Sequence, residues 1–472
     1  MKKIKNQRTA TQVAIFAGAA ALMALTPQTH AQSSVDALLN KLEQKGILSV
    51  DEARELKAEN EQESVDDFNK ALGAKFPTSD WVTSYKLYGD FRGRFDDIST
   101  GGPVNGTSSF NGSENQTRVR YRLRVGLTIN MKDDLQVGFR LGSDDAASSS
   151  NTTGGGNPLS NNSTLQGNGS KKGIFVDAAY GKWTPINNGT WMLAGTFGKM
   201  DQPFQLSPMV FDPDYTPEGG ALQATYKIND NNSLAFNGAA FLLNQFNSRD
   251  PFMYGGQVIW NANWTPRLAS SLGIAALDIA NINQGAIPGG ATTPVGYDSN
   301  LGNTTTTLLN GIPMLVYHYN PIIADASVTY TLDSFPLYNG PFPIKIAGEY
   351  MVNPGATGNN TGWWGGVTFG KSGKKGLWDI SYRYQYLQAD AWWDQIVDDD
   401  NIALFSTTPT SALSFSAVGG TNIKGHLVKF DYSIYDSLTF SVTAYVNDLI
   451  ANPTPNTPTD AIHAMADLMW KF

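Results

Sequence analysis

The sequence predicts an all-β fold: a transmembrane antiparallel β-barrel of about 16 strands behind a short N-terminal helical segment. Three observations predict it. From Trp81 to Phe472 the apolar residues recur with a period of two, arginines gather on one face of two early strands, and the connections run long and short by turns.

Composition sets the frame. The chain has 472 residues, of which only 16% are charged and 11% aromatic, with 47 Gly and no Cys, so no disulfide or thiol chemistry is available. It begins "MKKIKNQR", continues with an almost wholly apolar run from Val13 to Leu25, and reaches small residues at Thr29 and Ala31. This is the pattern of a secretory signal peptide covering 1–31 and cut after Ala31. The apolar run falls short of the roughly 20 residues of a membrane-spanning helix. Removing Lys2, Lys3, Lys5 and Arg8 takes the formal charge from −8 to −12, which argues against nucleic acid as a partner.

Residues 32–76 form a separate segment. Val35, Leu38, Leu39 and Leu42 make one helical stripe, the chain pauses at Gly46, and Ser49 with Glu52 forms a capping box for a second short helix. Either a shielding helical pair or a short coiled-coil stalk fits this pattern. A linker containing Pro77 then leads into the barrel, assigned to 77–472.

The strands follow in order. "YKLYGDFRGRF" sets Leu87, Gly89, Phe91, Gly93 and Phe95 against Lys86, Tyr88, Asp90, Arg92 and Arg94. "RVRYRLRVGLTI" sets Val119, Tyr121, Leu123, Val125, Leu127 and Ile129 against Arg118, Arg120, Arg122 and Arg124. "LWDISYRYQYL" and "LTFSVTAYV" alternate in the same way, and each candidate strand is near the roughly 9–11 residues that a tilted transmembrane strand needs.

The arginines decide which face is inside. Side chains two apart on a strand stand about 7 Å apart, where like charges in water repel by only about 0.6 kcal/mol, whereas a packed interior adds several kcal/mol of desolvation per ion. That face is therefore expected to be wet and the apolar face to meet lipid. Arg92, Arg94, Arg118, Arg120, Arg122, Arg124 and Arg140 are the expected lumen-lining cations.

Connections support a barrel over a soluble sandwich. Ser99 to Asn115, the Gly/Ser-rich stretch after Gly142, Asn281 to Pro313 and Ala389 to Lys424 are long, whereas "NMKDD", "TPINNGT", "KINDNN", "WTPR", "GKSGKKG" and "YDS" are short. Short turns at one rim and long polar loops at the other are the pattern of an outer-membrane barrel. The last strand fits: Ile462, Ala464, Ala466, Leu468, Trp470 and Phe472 share one side. A terminal Phe after alternating apolar residues, here Leu468, Trp470 and Phe472, resembles the signal by which the barrel-assembly machinery recognises bacterial outer-membrane proteins.

One segment, Gly198 to Tyr226, breaks the alternation with Pro203, Pro208, Pro213 and Pro217, so little of it is expected to pair in a sheet. Gly198, Lys199, Met200, Pro203 and Phe204, then Asp212, Asp214, Thr216, Pro217, Glu218 and Gly219, resemble the bacterial "putative porin" family, and more distantly the phosphate-selective porins. The resemblance implies a porin-type barrel, often a homotrimer, whose third long loop folds into the pore and narrows it. It implies passive passage of small hydrophilic solutes or ions through the bacterial outer membrane. The lysine-rich site of the phosphate-selective relatives has no counterpart on these strands. If the loop bends inward, Asp201, Asp212, Asp214 and Glu218 are the acids expected to face the arginines, and such a transverse field orients dipolar solutes.

Other readings find less support. "DPD" lacks the further spaced oxygen ligands of a calcium loop, and no cofactor or metal is called for. His318, His426 and His463 lie far apart with no GxSxG or HExxH spacing near them, which disfavours a hydrolase. His426 is expected to point outward and His463 inward. A secreted adhesin or carbohydrate-binding β-domain is the alternative to a channel.

Overall fold

The structure is a computed structural model, and it describes residues 79–101, 115–145, 157–245, 249–283, 301–307, 313–405, 417–451 and 459–472. The expected signal peptide and the expected helical segment of 32–76 lie outside these residues.

Sixteen long strands form the wall: β1 Val82–Gly101, β2 Asn115–Met131, β3 Leu135–Asp144, β4 Gly173–Asn187, β5 Trp191–Lys199, β6 Glu218–Asn229, β7 Asn232–Leu242, β8 Phe252–Thr265, β9 Leu268–Ala280, β10 Ile322–Leu332, β11 Phe342–Val352, β12 Thr361–Gly370, β13 Trp378–Leu387, β14 Ile423–Tyr435, β15 Leu438–Leu449 and β16 Asp460–Lys471. Each is antiparallel to the next, and β1 pairs with both β2 and β16, so the sheet closes and leaves no edge. Smaller pairings occur inside the loops, such as Thr305–Thr307 with Pro313–Leu315.

Local chemistry sets the tight turns. At 188–190 the Asn188 carboxamide oxygen accepts from the backbone N–H of Thr190 (3.1 Å) and Trp191 (2.8 Å), and Gly189 takes φ 82° between them. Turns 132–134, 188–190, 230–231, 266–267 and 436–437 share one rim with the longer 333–341 and 371–377. The opposite rim carries the connections 102–114, 145–172, 200–217, 243–251, 281–321, 353–360, 388–422 and 450–459, here named L1 to L8. The expected strict alternation is thus corrected: L6 at 353–360 is no longer than the turn at 333–341.

The inside-outside assignment follows the pleat. Leu123, Val125, Phe197, Leu222, Ile274, Ile346 and Ile462 stand exposed around the wall. Trp183, Trp191, Trp264, Tyr330, Tyr435 and Trp470 are exposed near the short-turn rim, where amphipathic rings form a girdle at the bilayer interface. No helix among the described residues is long and apolar enough to cross a membrane.

The interior departs from the expectation of a uniformly wet inward face. Phe241, Met253, Leu277, Ile279, Ile323, Met351 and Leu387 point inward from β7 to β13 and are fully or nearly buried. They pack against Met200, Phe204, Met209, Val210 and Phe211 of L3 and against Trp392, Trp393, Ile396 and Val397 of L7. Toward the long-loop rim the barrel thus holds a hydrophobic core of its own. The reason is that L3 and L7 bring in more apolar surface than an aqueous channel tolerates, and burying each such side chain stabilises by about 1.5–3 kcal/mol.

Candidate functional site: an arginine column and the loops it anchors

On β1 the inward residues are Asp90, Arg92, Arg94 and Asp96, and on β2 Arg118, Arg120, Arg122 and Arg124. The register sets Asp90 opposite Arg124 and Asp96 opposite Arg118, but places Arg92 opposite Arg122 and Arg94 opposite Arg120. Like charges directly across a ladder are destabilising, so the two middle rungs need acids from elsewhere. Those acids come from β16 and from the loops. Arg94 donates to Asp467 of β16 (2.8 and 2.9 Å) and to Asp400 of L7 (2.9 and 3.2 Å). Arg122 lies 3.0 Å from Asp90 and 2.9 Å from Asp214 of L3, and Arg124 lies 2.8 Å from Asp90 and 3.3 Å from Asp214. Arg118 donates to Asp96 at 2.7 Å, and Arg120 stands 3.6 Å from the same carboxylate. Arg92 donates to Asn162 of L2 at 2.7 Å. On β3, Arg140 pairs with Asp177 of β4 and, at 2.7 Å, with Asp201 of L3.

The expected site residues therefore divide. Asp201 and Asp214 meet the arginines, and two of the column, Arg94 and Arg122, are only 5% exposed because loops cover them. Asp212 does not face the column. It is buried, turned toward L7, and accepts from the backbone N–H of Asp214 (2.7 Å) and Asp399 (3.1 Å). Glu218 opens β6 and pairs with Lys199 at 3.4 Å, so the proline-rich segment rejoins the sheet earlier than its length suggests. His463 points inward with its ring nitrogens facing Asp96 (2.7 Å) and the Asp400 carbonyl (2.8 Å), while His426 faces outward beside Tyr382, both as expected. Leu468 and Trp470 lie on β16 and Phe472 just beyond it; Trp470 packs on Phe91 of β1 with ring centroids 5.6 Å apart.

Inside the barrel L3 and L7 act as one body. The Trp392 indole donates to the Val210 carbonyl (2.8 Å), Asp212 N–H to Ile396 (2.8 Å) and Asp398 N–H to Pro208 (3.1 Å). L3 is also tied to the wall, where Ser207 N–H donates to Glu349 of β11 (3.0 Å) and Gln205 N–H to Gln257 of β8 (2.9 Å). L5 joins the same body through Asp394, which accepts from the N–H of Leu301 and Asn303, and through Asp390, which accepts from Thr304 and Tyr319.

At the L3–L7 junction the carboxylate oxygens of Asp212, Asp398 and Asp399 converge within 4.8 Å. Asp398 accepts from the N–H of Asp400 and the Tyr445 hydroxyl, and each Asp212 oxygen accepts one backbone N–H, so the three acids form a hydrogen-bonded cluster. Burial, then Asp399 and Asp398, push Asp212 well above the usual carboxylate range; burial and Asp400 raise Asp399 likewise and bring Asp398 to about 6. Asp394, held by neutral donors alone, is pushed by burial to about 6. Asp400 goes the other way: against the cost of burial, the Arg94 guanidinium and His463 hold it well below the usual range.

Residues 95–291, from within β1 to L5, match the family model described as "Putative porin". Over these residues the barrel is porin-like. The match spans the column on β2 and all of L3. Among solved structures the porin-like barrel is similar to OprB of Pseudomonas putida, with 10% identity, a TM-score of 0.46, and 82% of this chain and 94% of that one covered. It is also similar to the outer membrane channel DcaP of Acinetobacter baumannii, with 13% identity, a TM-score of 0.40 and coverage of 84% and 99%. For OmpF of Salmonella typhi the values are 10%, 0.43, 82% and 98%. No curated protein matches it.

Sequence reasoning found L7 as a long connection but missed that it folds into the barrel. Its signal was present in "AWWDQIVDDD": adjacent tryptophans and an apolar pair are out of place in a loop expected to lie in water. The same reasoning placed Asp90 on the arginine face of β1 but missed that Asp96 continues that face and that both acids pair with the column, although residues 90, 92, 94 and 96 alternate in phase.

Proposed function

We propose that this barrel is a porin: a passive, water-filled path for small hydrophilic solutes and ions, narrowed inside by L3 and L7. The observation that carries the reading is the docking of L3 on the arginine column, Asp214 on Arg122 and Arg124 and Asp201 on Arg140, inside a closed barrel with an apolar outer face. Ionic anchors, rather than apolar packing, hold L3 against the arginine wall, so in this reading water and solute pass beside the docked loop and not over the covered Arg94 and Arg122. Each arginine of the column has a carboxylate within 4.0 Å, so its charge is compensated locally and the column does not present one sign of charge to an ion. The signal peptide, the trimer and recognition of the C-terminal strand by the assembly machinery belong to the same reading, as does the absence of a catalytic role.

Reconstitution into a planar bilayer tests it. Stepwise conductance is expected. Replacing Arg120 and Arg122 together by Gln is expected to move the reversal potential in a salt gradient toward cations, and replacing Asp214 by Asn toward anions, both shifts shrinking near 1 M salt where the screening length is about 3 Å. A purified, folded barrel that never conducts would overturn the reading.

A further inference from the structure

The L3–L7 junction combines features that a purely structural contact would avoid. Two loops from opposite sides of the barrel interior meet through four hydrogen bonds with backbone or indole donors and one apolar cluster, and at their centre lie three carboxyl groups within 4.8 Å of one another. Cations are few there. Of the groups facing the cluster from each packed element, Arg383 of β13 stands 3.9 Å from Asp398, Arg120 of β2 acts on Asp399, and Tyr445 of β15 donates to Asp398. From L3, Asp214 adds a further negative charge; from L7, Asp400 does so too, but Arg94 and His463 engage it.

We propose that this junction is a proton-operated latch: with its carboxyl groups protonated the two loops stay docked across the lumen, and with them ionised the loops part and the path widens. The inference rests on the channel reading above. Its sign follows from linkage. A carboxyl whose docked form titrates higher than its free form costs docking nothing while both states are protonated. The cost then grows as pH rises past the free value near 3.8 and is complete above the docked value, about 6 for Asp398. Asp212 and Asp399, raised for the same reasons, push in the same direction. Asp400 has the opposite sign but stays ionised throughout this window, held by Arg94. A shift of about two pH units in one such group changes the docked-to-free ratio by up to about 100-fold.

Two readouts on the full mature chain test the latch. The first is single-channel conductance in planar bilayers at about pH 4.5 and about pH 7.5, expected to rise at least roughly two-fold with a midpoint near the docked value. The second needs no current: hydrogen exchange of the L3 and L7 amides in micelles, corrected for intrinsic pH dependence, is expected to lose protection by roughly ten- to a hundred-fold over the same range while the strands do not change. The isosteric variant carrying Asp212→Asn, Asp398→Asn and Asp399→Asn is expected to stay in the low-conductance, protected state at both pH values. A variant that keeps the wild-type pH response, or wild-type loop amides equally protected at both pH values, would overturn the latch. Loop exchange that responds to pH in a barrel that never conducts would support the latch and sink the channel reading alone.

Discussion

Gly89 of β1 and the terminal Phe472 exchange two backbone hydrogen bonds, 2.8 Å from the Gly89 N–H and 3.1 Å in return. The Phe472 ring occupies the space beside the glycine. A Cβ on residue 89 would lie 2.5 Å from that ring and 2.3 Å from the Arg124 carbonyl oxygen, whereas at Gly93, two rungs on, nothing lies within 4 Å. The seam that closes the barrel thus depends on a missing side chain opposite the last residue. Gly89→Ala is expected to destabilise the barrel by about 1–3 kcal/mol through overpacking, and Gly93→Ala to change it by less than about 0.5 kcal/mol. Urea unfolding followed by the mobility difference between folded and heated barrel checks both; equal effects would mean that the seam tolerates a methyl group there.

Leu123 and Arg122 are neighbours in sequence with opposite surroundings. Leu123→Arg puts a charge on the lipid face and is expected to cost roughly 2–4 kcal/mol of barrel stability if it lies near the midplane. Arg122→Ala leaves the strand intact but strips Asp214 of its closest cation, so L3 is expected to become susceptible to limited proteolysis while the barrel stays folded. A barrel lost with Arg122→Ala and kept with Leu123→Arg would reverse the inside-outside assignment.

Topology gives a third outcome. An epitope inserted at Asn168 in L2 is expected to be reached by antibody on intact cells, and one inserted at Asn188, in the opposite rim's tight turn, is expected to be hidden. Equal labelling at both sites would contradict the orientation of the barrel.

Among the described residues Trp392 is the largest fully buried side chain, and it joins L7 to L3 through Val210 and an edge-to-face contact with Phe211, ring centroids 6.1 Å apart. Trp392→Ala removes both contacts and is expected to raise mean conductance and its noise in planar bilayers, with a local cost of roughly 3–5 kcal/mol confined to the loops. Unchanged conductance would place the conducting path away from the L3–L7 body.

The sequence by itself determined the wall. Period-two alternation told lipid face from lumen face residue by residue, because on a strand each step reverses the side chain, and the arginine run could not face lipid. It also marked L3, since four prolines forbid a ladder. What only the tertiary structure decided was the use of the interior. Whether Arg122 is bathed in water or pinned by Asp214, whether Asp212 meets an arginine or Asp399, and whether Trp392 fills the lumen depend on pairings between residues about 90 to 190 positions apart. Strand periodicity carries no information about such pairings, because they are set by how irregular loops, whose backbones follow no repeat, find the charges and apolar surface that closure of the barrel brings within reach.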